Sequence, residues 1–203
     1  MKQKTKLIIF DLDGVIIDSK KNMNYAWNYV KKKHSLKIEF NEYFKNIGLP
    51  FEKILLKLGI KKEQRKIFLS YSNESIKQIK EINLFKGVKQ VLKNLDKNYY
   101  LAILTSKDFN RTKIILKKFK LDFKYICCPI KGKKGKPNPW QITKLMKKLK
   151  IHRNNVFYVG DTQVDKRTAK NAGIKFIYAK YGYENIRSTK YTINSMKEIN
   201  KFL

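Results

Sequence analysis

Two carboxylates, Asp11 and Asp13, stand two residues apart directly behind the apolar run 7–10 and just ahead of Gly14. With that run as a strand, both acids fall on the loop beyond its carboxyl end, where α/β proteins place their ligands. Three further segments share the arrangement. Thr105 and Ser106 follow the apolar run 99–104, Lys136 lies in Gly135-Lys136-Pro137-Asn138-Pro139, and the run 156–159 leads into Gly160-Asp161-Thr162-Gln163-Val164-Asp165. Carboxylates, hydroxyls and a lysine are suited to proton transfer and to holding anionic groups. Singly, each has an ordinary structural use: an Asp caps a helix, Thr and Ser make turns, and a lysine is solvated. Together, on one edge of one sheet, they read as a site.

The elements that must position these groups are short. Runs of β type recur at 7–10, 99–104, 125–128, 156–159 and 174–178, each too brief for a typical helix. Helical patterns occupy 108–119, 137–149 and 162–172, and Ser195 to Glu198 reads as a capping box opening a last short helix. Strands alternating with helices predict right-handed crossovers, hence an α/β, Rossmann-like parallel sheet with helices on both faces. From 19 to about 81 there is no strand signal, only helical patterns broken at Gly48-Leu49-Pro50 and Gly59. A stretch of that length exceeds any simple crossover and predicts a small all-helical subdomain inserted after the first strand. The expected division is a core of 1–18 and 84–203 around an insertion of 19–83. Ile67, Phe68, Tyr71, Ile76, Ile79 and Ile82 fit one helix face packed within it.

Composition narrows the class. The 203 residues are 42% hydrophobic, enough for a packed core, yet 47 Lys+Arg against 16 Asp+Glu give a net charge of +31. Only five of the basic residues are arginine, while lysine, isoleucine and asparagine, all with A/T-rich codons, are abundant. Drift in genome composition therefore accounts for the excess, and the lysines are scattered rather than gathered into a tail. The early apolar run is too short for a signal segment, and nothing approaches the roughly 20 apolar residues of a membrane span, so a soluble cytoplasmic protein is expected. Cys127 and Cys128 are adjacent, without spaced partners for zinc, and read as buried reduced thiols. His34, on a lysine-rich segment, reads as exposed rather than catalytic.

The four segments, D-x-D-G-V after a strand, strand-Thr, G-K-P-x-P and G-D-x-x-x-D, resemble the four motifs of the haloacid dehalogenase-like hydrolase superfamily. The insertion resembles the helical cap of its phosphoglycolate phosphatase and β-phosphoglucomutase branch. The resemblance implies that Asp11 is the nucleophile and Asp13 the general acid and base. It implies that Thr105, Ser106 and Lys136 hold the phosphoryl group, and that Mg²⁺ is bound by Asp11, the Asp13 backbone carbonyl, Asp161 and Asp165. Gly160 stands where the mutases carry an acid, and no Arg or Lys occurs between Asn46 and Glu52, where β-phosphoglucomutase places a Ser-Arg to grip a second phosphate, which favours a phosphatase. Asn46-Ile47-Gly48-Leu49-Pro50 and Tyr181-Gly182-Tyr183 resemble phosphoglycolate phosphatase patterns. The expected partner is a small phosphorylated metabolite, phosphoglycolate-like, with no membrane and no specific nucleic acid. A sugar-phosphate phosphatase or phosphomutase is the alternative within the branch. A nucleic-acid 3′-phosphatase or binding protein using the positive charge is the alternative outside it. Lys20, Lys21, Lys45 and Lys53 of the insertion are candidates to meet a substrate carboxylate, though each also reads as surface charge.

Overall fold

Strand β1, Leu7–Phe10, is buried throughout and sends alternate side chains to opposite sides of the sheet. Ile8 and Phe10 enter one apolar cluster and Leu7 and Ile9 another, which fixes β1 as a central strand covered on both faces. The computed structural model describes residues 4–187 and 189–203. In chain order its elements are β1, β2 (Ile17–Asp18), α1 (Lys20–Lys33), α2 (Phe40–Phe44), α3 (Phe51–Lys57), α4 (Gln64–Lys77), β3 (Asn83–Leu84), α5 (Val88–Leu95), β4 (Tyr100–Leu104), α6 (Phe109–Phe119), β5 (Tyr125–Cys127), α7 (Trp140–Leu149), β6 (Val156–Gly160), α8 (Gln163–Ala172), β7 (Lys175–Ala179) and β8 (Thr192–Ile193).

The main sheet is parallel, in the order β5-β4-β1-β6-β7-β8, and is the Rossmann-like sheet expected. Chain order reverses between β1 and β6, so the crevice beyond their carboxyl ends is where a ligand site forms. Asp11 leaves β1 at that point, and Asp161 leaves β6 beside it.

Helices α1 to α4 gather around Trp27, Tyr43, Phe51, Ile54, Leu55 and Tyr71 as a separate apolar cluster. Trp27 stacks on Tyr43 with ring centroids 4.3 Å apart, and its indole N–H donates to the Ile38 carbonyl at 3.0 Å. The chain enters and leaves this layer through a two-stranded antiparallel ladder, Ile17 opposite Leu84 and Asp18 opposite Asn83.

Several details depart from the sequence expectations. Ile67 and Tyr71 do pack within the helical layer, but α4 ends at Lys77, and Ile79 and Ile82 turn to the core beneath the sheet. The closing segment, Met196–Phe202, is a 3₁₀ helix. Its expected capping box does not form: the Ser195 side chain makes no cap bond, and Glu198 accepts from the Asn194 N–H instead. Cys128 is buried but Cys127 only half-buried, and burial raises both thiols to about 11. His34 is half-buried with Nε2 3.0 Å from the Ser70 hydroxyl. No described helix is long and apolar enough to cross a membrane.

Candidate active site

The floor of the site is made by strand ends. Asp11 is held as an extension of β1 by its N–H bond to the Val159 carbonyl at 2.9 Å. Its Oδ1 accepts from the Leu12 N–H at 2.7 Å and lies 3.0 Å from Lys136 Nζ. None of the described residues hydrogen-bonds Oδ2. Lys136 also reaches Asp165 Oδ1 at 2.8 Å and the Tyr158 hydroxyl at 3.1 Å, so one buried ammonium ties together two carboxylates from opposite ends of the sequence.

Asp165 has a second task. In the first turn of α8 it forms a capping box with Thr162, its Oδ2 accepting from the Thr162 N–H at 3.1 Å and hydroxyl at 2.7 Å. The Tyr158 hydroxyl donates to Asp165 Oδ1 at 2.6 Å, completing its shell. Asp161 is the contrast: Oδ2 accepts from the Tyr183 N–H at 2.8 Å, but Oδ1 is buried without a partner among the described residues. A buried carboxylate oxygen left bare is costly unless a cation completes it.

Packing around Asp161 is tight enough to exclude side chains. Gly14, at φ +83°, would place a Cβ 2.0 Å from Asp161 Oδ2, and one at Gly182 would fall 2.3 Å from Asp161 Cβ. Only glycine meets both the backbone angle at position 14 and the close approach.

Burial and crowding set the charges. Burial raises Asp11 to about 7, with Lys136 pulling down and Asp165 and Asp13 pushing up. Burial, then Asp165 and Asp11, hold Asp161 well above the usual carboxylate range. Burial acts on Asp165 in the same direction, but Lys136, Tyr158 and Thr162 overcome it and keep Asp165 below its ordinary value. Burial opposes the charge on Lys136, yet Asp11 and Asp165 outweigh it, so its pKa is raised.

Asp11, Asp161 and Asp165 each offer an oxygen within 4.8 Å of the others. Three crowded carboxylates with one bare oxygen fit a hard divalent cation, which favours oxygen ligands. These residues could hold the metal that haloacid dehalogenase-like phosphatases generally use.

Asp13 sits beside this floor, its Oδ1 accepting from the Ser19 hydroxyl at 2.5 Å and pairing with Lys107 at 3.2 Å. Thr105 continues β4, its N–H bonded to the Cys127 carbonyl at 3.0 Å, and its Oγ1 accepts from the Lys107 N–H at 3.1 Å. Ser106 donates to the Gly48 carbonyl at 2.7 Å, joining the sheet edge to the turn between α2 and α3.

Asp11, Asp13, Thr105, Ser106 and Lys136 therefore line one cavity of about 40 Å³, with Asp161 and Asp165 gathered behind Asp11. Its roof is Met23, Tyr43, Phe51, Ile54 and Tyr71, so Tyr71 is cavity wall as well as core. Lys20, Lys21, Lys45 and Lys53 are exposed and do not line the cavity. Lys107 and Arg111 do, and sequence reasoning passed over both. The available signals were the position of Lys107 directly after Thr105-Ser106 and the rarity of arginine in the chain.

The sequence profile described as haloacid dehalogenase-like hydrolase matches residues 8–179. The chain belongs to that family. A chain of Caldanaerobacter subterraneus, provisionally named pyrophosphatase PpaX, is 28% identical over 211 residues, covering 98% of this chain and 95% of its own. The phosphoglycolate phosphatase of Vibrio vulnificus is 26% identical over 202 residues, 91% of this chain and 87% of its own. The solved structure of a hydrolase from Pseudomonas syringae superposes with a TM-score of 0.87 at 22% identity, over 97% of each chain, and shares the fold. Among haloacid dehalogenase-like hydrolases this chain is a phosphatase, a phosphoric ester hydrolase.

Proposed function

We propose that the protein is a Mg²⁺-dependent phosphatase of a small phosphorylated metabolite, phosphoglycolate-like, working through an aspartyl-phosphate. The observation that carries this reading is Asp11: buried, with Oδ1 engaged by the Leu12 N–H and Lys136 and no hydrogen bond to Oδ2 from the described residues. In the first step an Asp11 oxygen attacks phosphorus, the bond from phosphorus to the leaving oxygen breaks, and Asp13 gives that oxygen a proton. In the second, water attacks the same phosphorus and passes a proton to Asp13, and the acyl phosphate opens to free phosphate and the Asp11 carboxylate. Thr105 and the Ser106 N–H donate to the phosphoryl oxygens, and Lys136 offsets their charge.

Asp11, the Asp13 carbonyl, Asp161 and Asp165 would hold Mg²⁺, which when bound supplies neutralising charge for an incoming phosphate dianion. Residues 19–83 act as a cap that excludes bulk water over a core of 1–18 and 84–203. The cytoplasm, where both thiols stay reduced, is the setting. The PpaX-type relative supports inorganic pyrophosphate as the second candidate substrate.

The test is phosphate release from phosphoglycolate, pyrophosphate, sugar phosphates, nucleotides and a 3′-phosphorylated oligonucleotide, with Mg²⁺ or EDTA. Mg²⁺-dependent turnover of one small compound, abolished in Asp11→Asn, supports the reading. Turnover of the oligonucleotide alone overturns it.

A further inference from the structure

The chain carries 47 lysines and arginines, yet among the described residues only three are buried: Lys107, Lys136 and Arg111, at 5%, 3% and 4% exposure. All three line the same cavity. Lys136 is taken by Asp11 and Asp165, and Lys107 by Asp13. Arg111 differs in place and in partners. It stands in the first turn of α6, where its own N–H is capped by Asp108 at 3.0 Å and its Nε donates to Asp108 Oδ2 at 2.5 Å. Asp108 is its sole carboxylate partner among the described residues. A guanidinium carries five N–H donors in a rigid fork, so the pair fixes its plane and leaves donors for another anion.

The guanidinium lies where floor meets roof, 5.1 Å from the Tyr71 ring and 5.9 Å from the Phe68 ring of α4. It is thus remote in kind from the phosphoryl-holding groups of the strand ends and next to the aromatic wall. The other four arginines, Arg65, Arg153, Arg167 and Arg187, are exposed. In a sequence that uses lysine for nearly every positive charge, an arginine at a buried position facing two aromatic rings of the roof helix fits a need for planar, two-pronged contact that lysine does not meet. The cavity is small, about 40 Å³, which suits a compact leaving group.

We propose that Arg111 forms an anion subsite that receives a second negative group on a small leaving portion, a carboxylate or phosphate one or two bonds beyond the scissile oxygen. This rests on the phosphatase reading above and narrows its substrate class to compact dianionic or more highly charged phosphates. Arg111 binds this group and takes no part in the bond-making steps.

The test pairs phosphoglycolate and pyrophosphate with ethyl phosphate, which has the two-carbon skeleton of phosphoglycolate without the carboxylate. In wild type, Arg111→Gln and Arg111→Lys with Mg²⁺, the expected result is a KM raised at least ~10-fold by Arg111→Gln for the two charged substrates, with a smaller rise for Arg111→Lys. Ethyl phosphate kinetics stay within about 3-fold throughout. Equal losses on all three substrates, or none, overturn the subsite. Should Arg111→Gln not fold, the contrast between charged and uncharged substrates in Arg111→Lys decides the matter alone. Should wild type cleave none of them, the phosphatase reading fails separately. The subsite is then judged by the rise in Tm given by inorganic pyrophosphate: loss of that rise in either variant supports it and an unchanged rise overturns it.

Discussion

The floor and the roof of the cavity are built on opposite principles. In the floor, six charged groups meet: Asp11, Asp13, Asp161, Asp165, Lys107 and Lys136, each position set by a strand end or a helix start. In the roof, Tyr43, Phe51 and Tyr71 pack ring against ring with Trp27 stacked on Tyr43 behind them, and the Tyr43 hydroxyl donates to that of Tyr71 at 3.1 Å. The floor holds unfavourable charge in place for chemistry, whereas the roof is stabilised by apolar burial and excludes water. A change in the floor should therefore be felt in reactivity whatever it does to stability, and a change in the apolar layer chiefly in stability.

Asp11→Asn is the largest expected break. Phosphate release should fall by roughly 10⁴-fold or more, while the thermal midpoint holds or rises, since a repelling carboxylate has been removed. Lys136→Met and Trp27→Ala come next and separate the regions by cause. Each should cost about 3–5 kcal/mol in urea unfolding, the first by stranding buried carboxylates and the second by opening a cavity. Added Mg²⁺ should recover part of the loss in Lys136→Met and none in Trp27→Ala.

A smaller effect follows from the raised carboxyls of the floor. The folded pKa of Asp11, about 7, exceeds its unfolded value near 3.8. Its contribution to stability is therefore complete below about pH 4 and is lost as pH climbs through 7. In EDTA the thermal midpoint should fall between about pH 4 and 7 and level off above that. Mg²⁺ should cancel that fall and Asp161→Asn should reduce it. The smallest expected change is Tyr43→Phe in the roof, about 1 kcal/mol for one buried hydrogen bond, with the pH response of the floor unchanged.

The acids Asp11, Asp13 and Asp161 of the floor were legible in the sequence because each closely follows a run whose burial on both faces leaves a continuous apolar signature. Leu7–Phe10 and Val156–Gly160 are such strands, and Asp11 and Asp161 follow them directly. Pairs of two residues are too short to show alternation, so Ile17–Asp18, Asn83–Leu84 and Thr192–Ile193 left no signal. Lys107 was hidden by composition: among so many lysines, the one folded inward looks like its exposed neighbours. Arg111 is separated from the strand end by a helix cap, and its approach to Tyr71 depends on how α4 lies against α6, a tertiary relation that local pattern does not encode. The Ser195 box did not form: the segment it was to open is 3₁₀, and Glu198 accepts from the Asn194 N–H instead.

The two-residue ladder of Ile17–Asp18 with Asn83–Leu84 has an evolutionary consequence. The chain departs and returns through neighbouring paired residues, so everything between is a closed excursion whose ends stay put. Closing a loop twice as long costs only about 0.6 kcal/mol more. A lineage can therefore lengthen, shorten or exchange the excursion as a cassette while the register of the parent sheet, and the acids hung from it, are inherited intact.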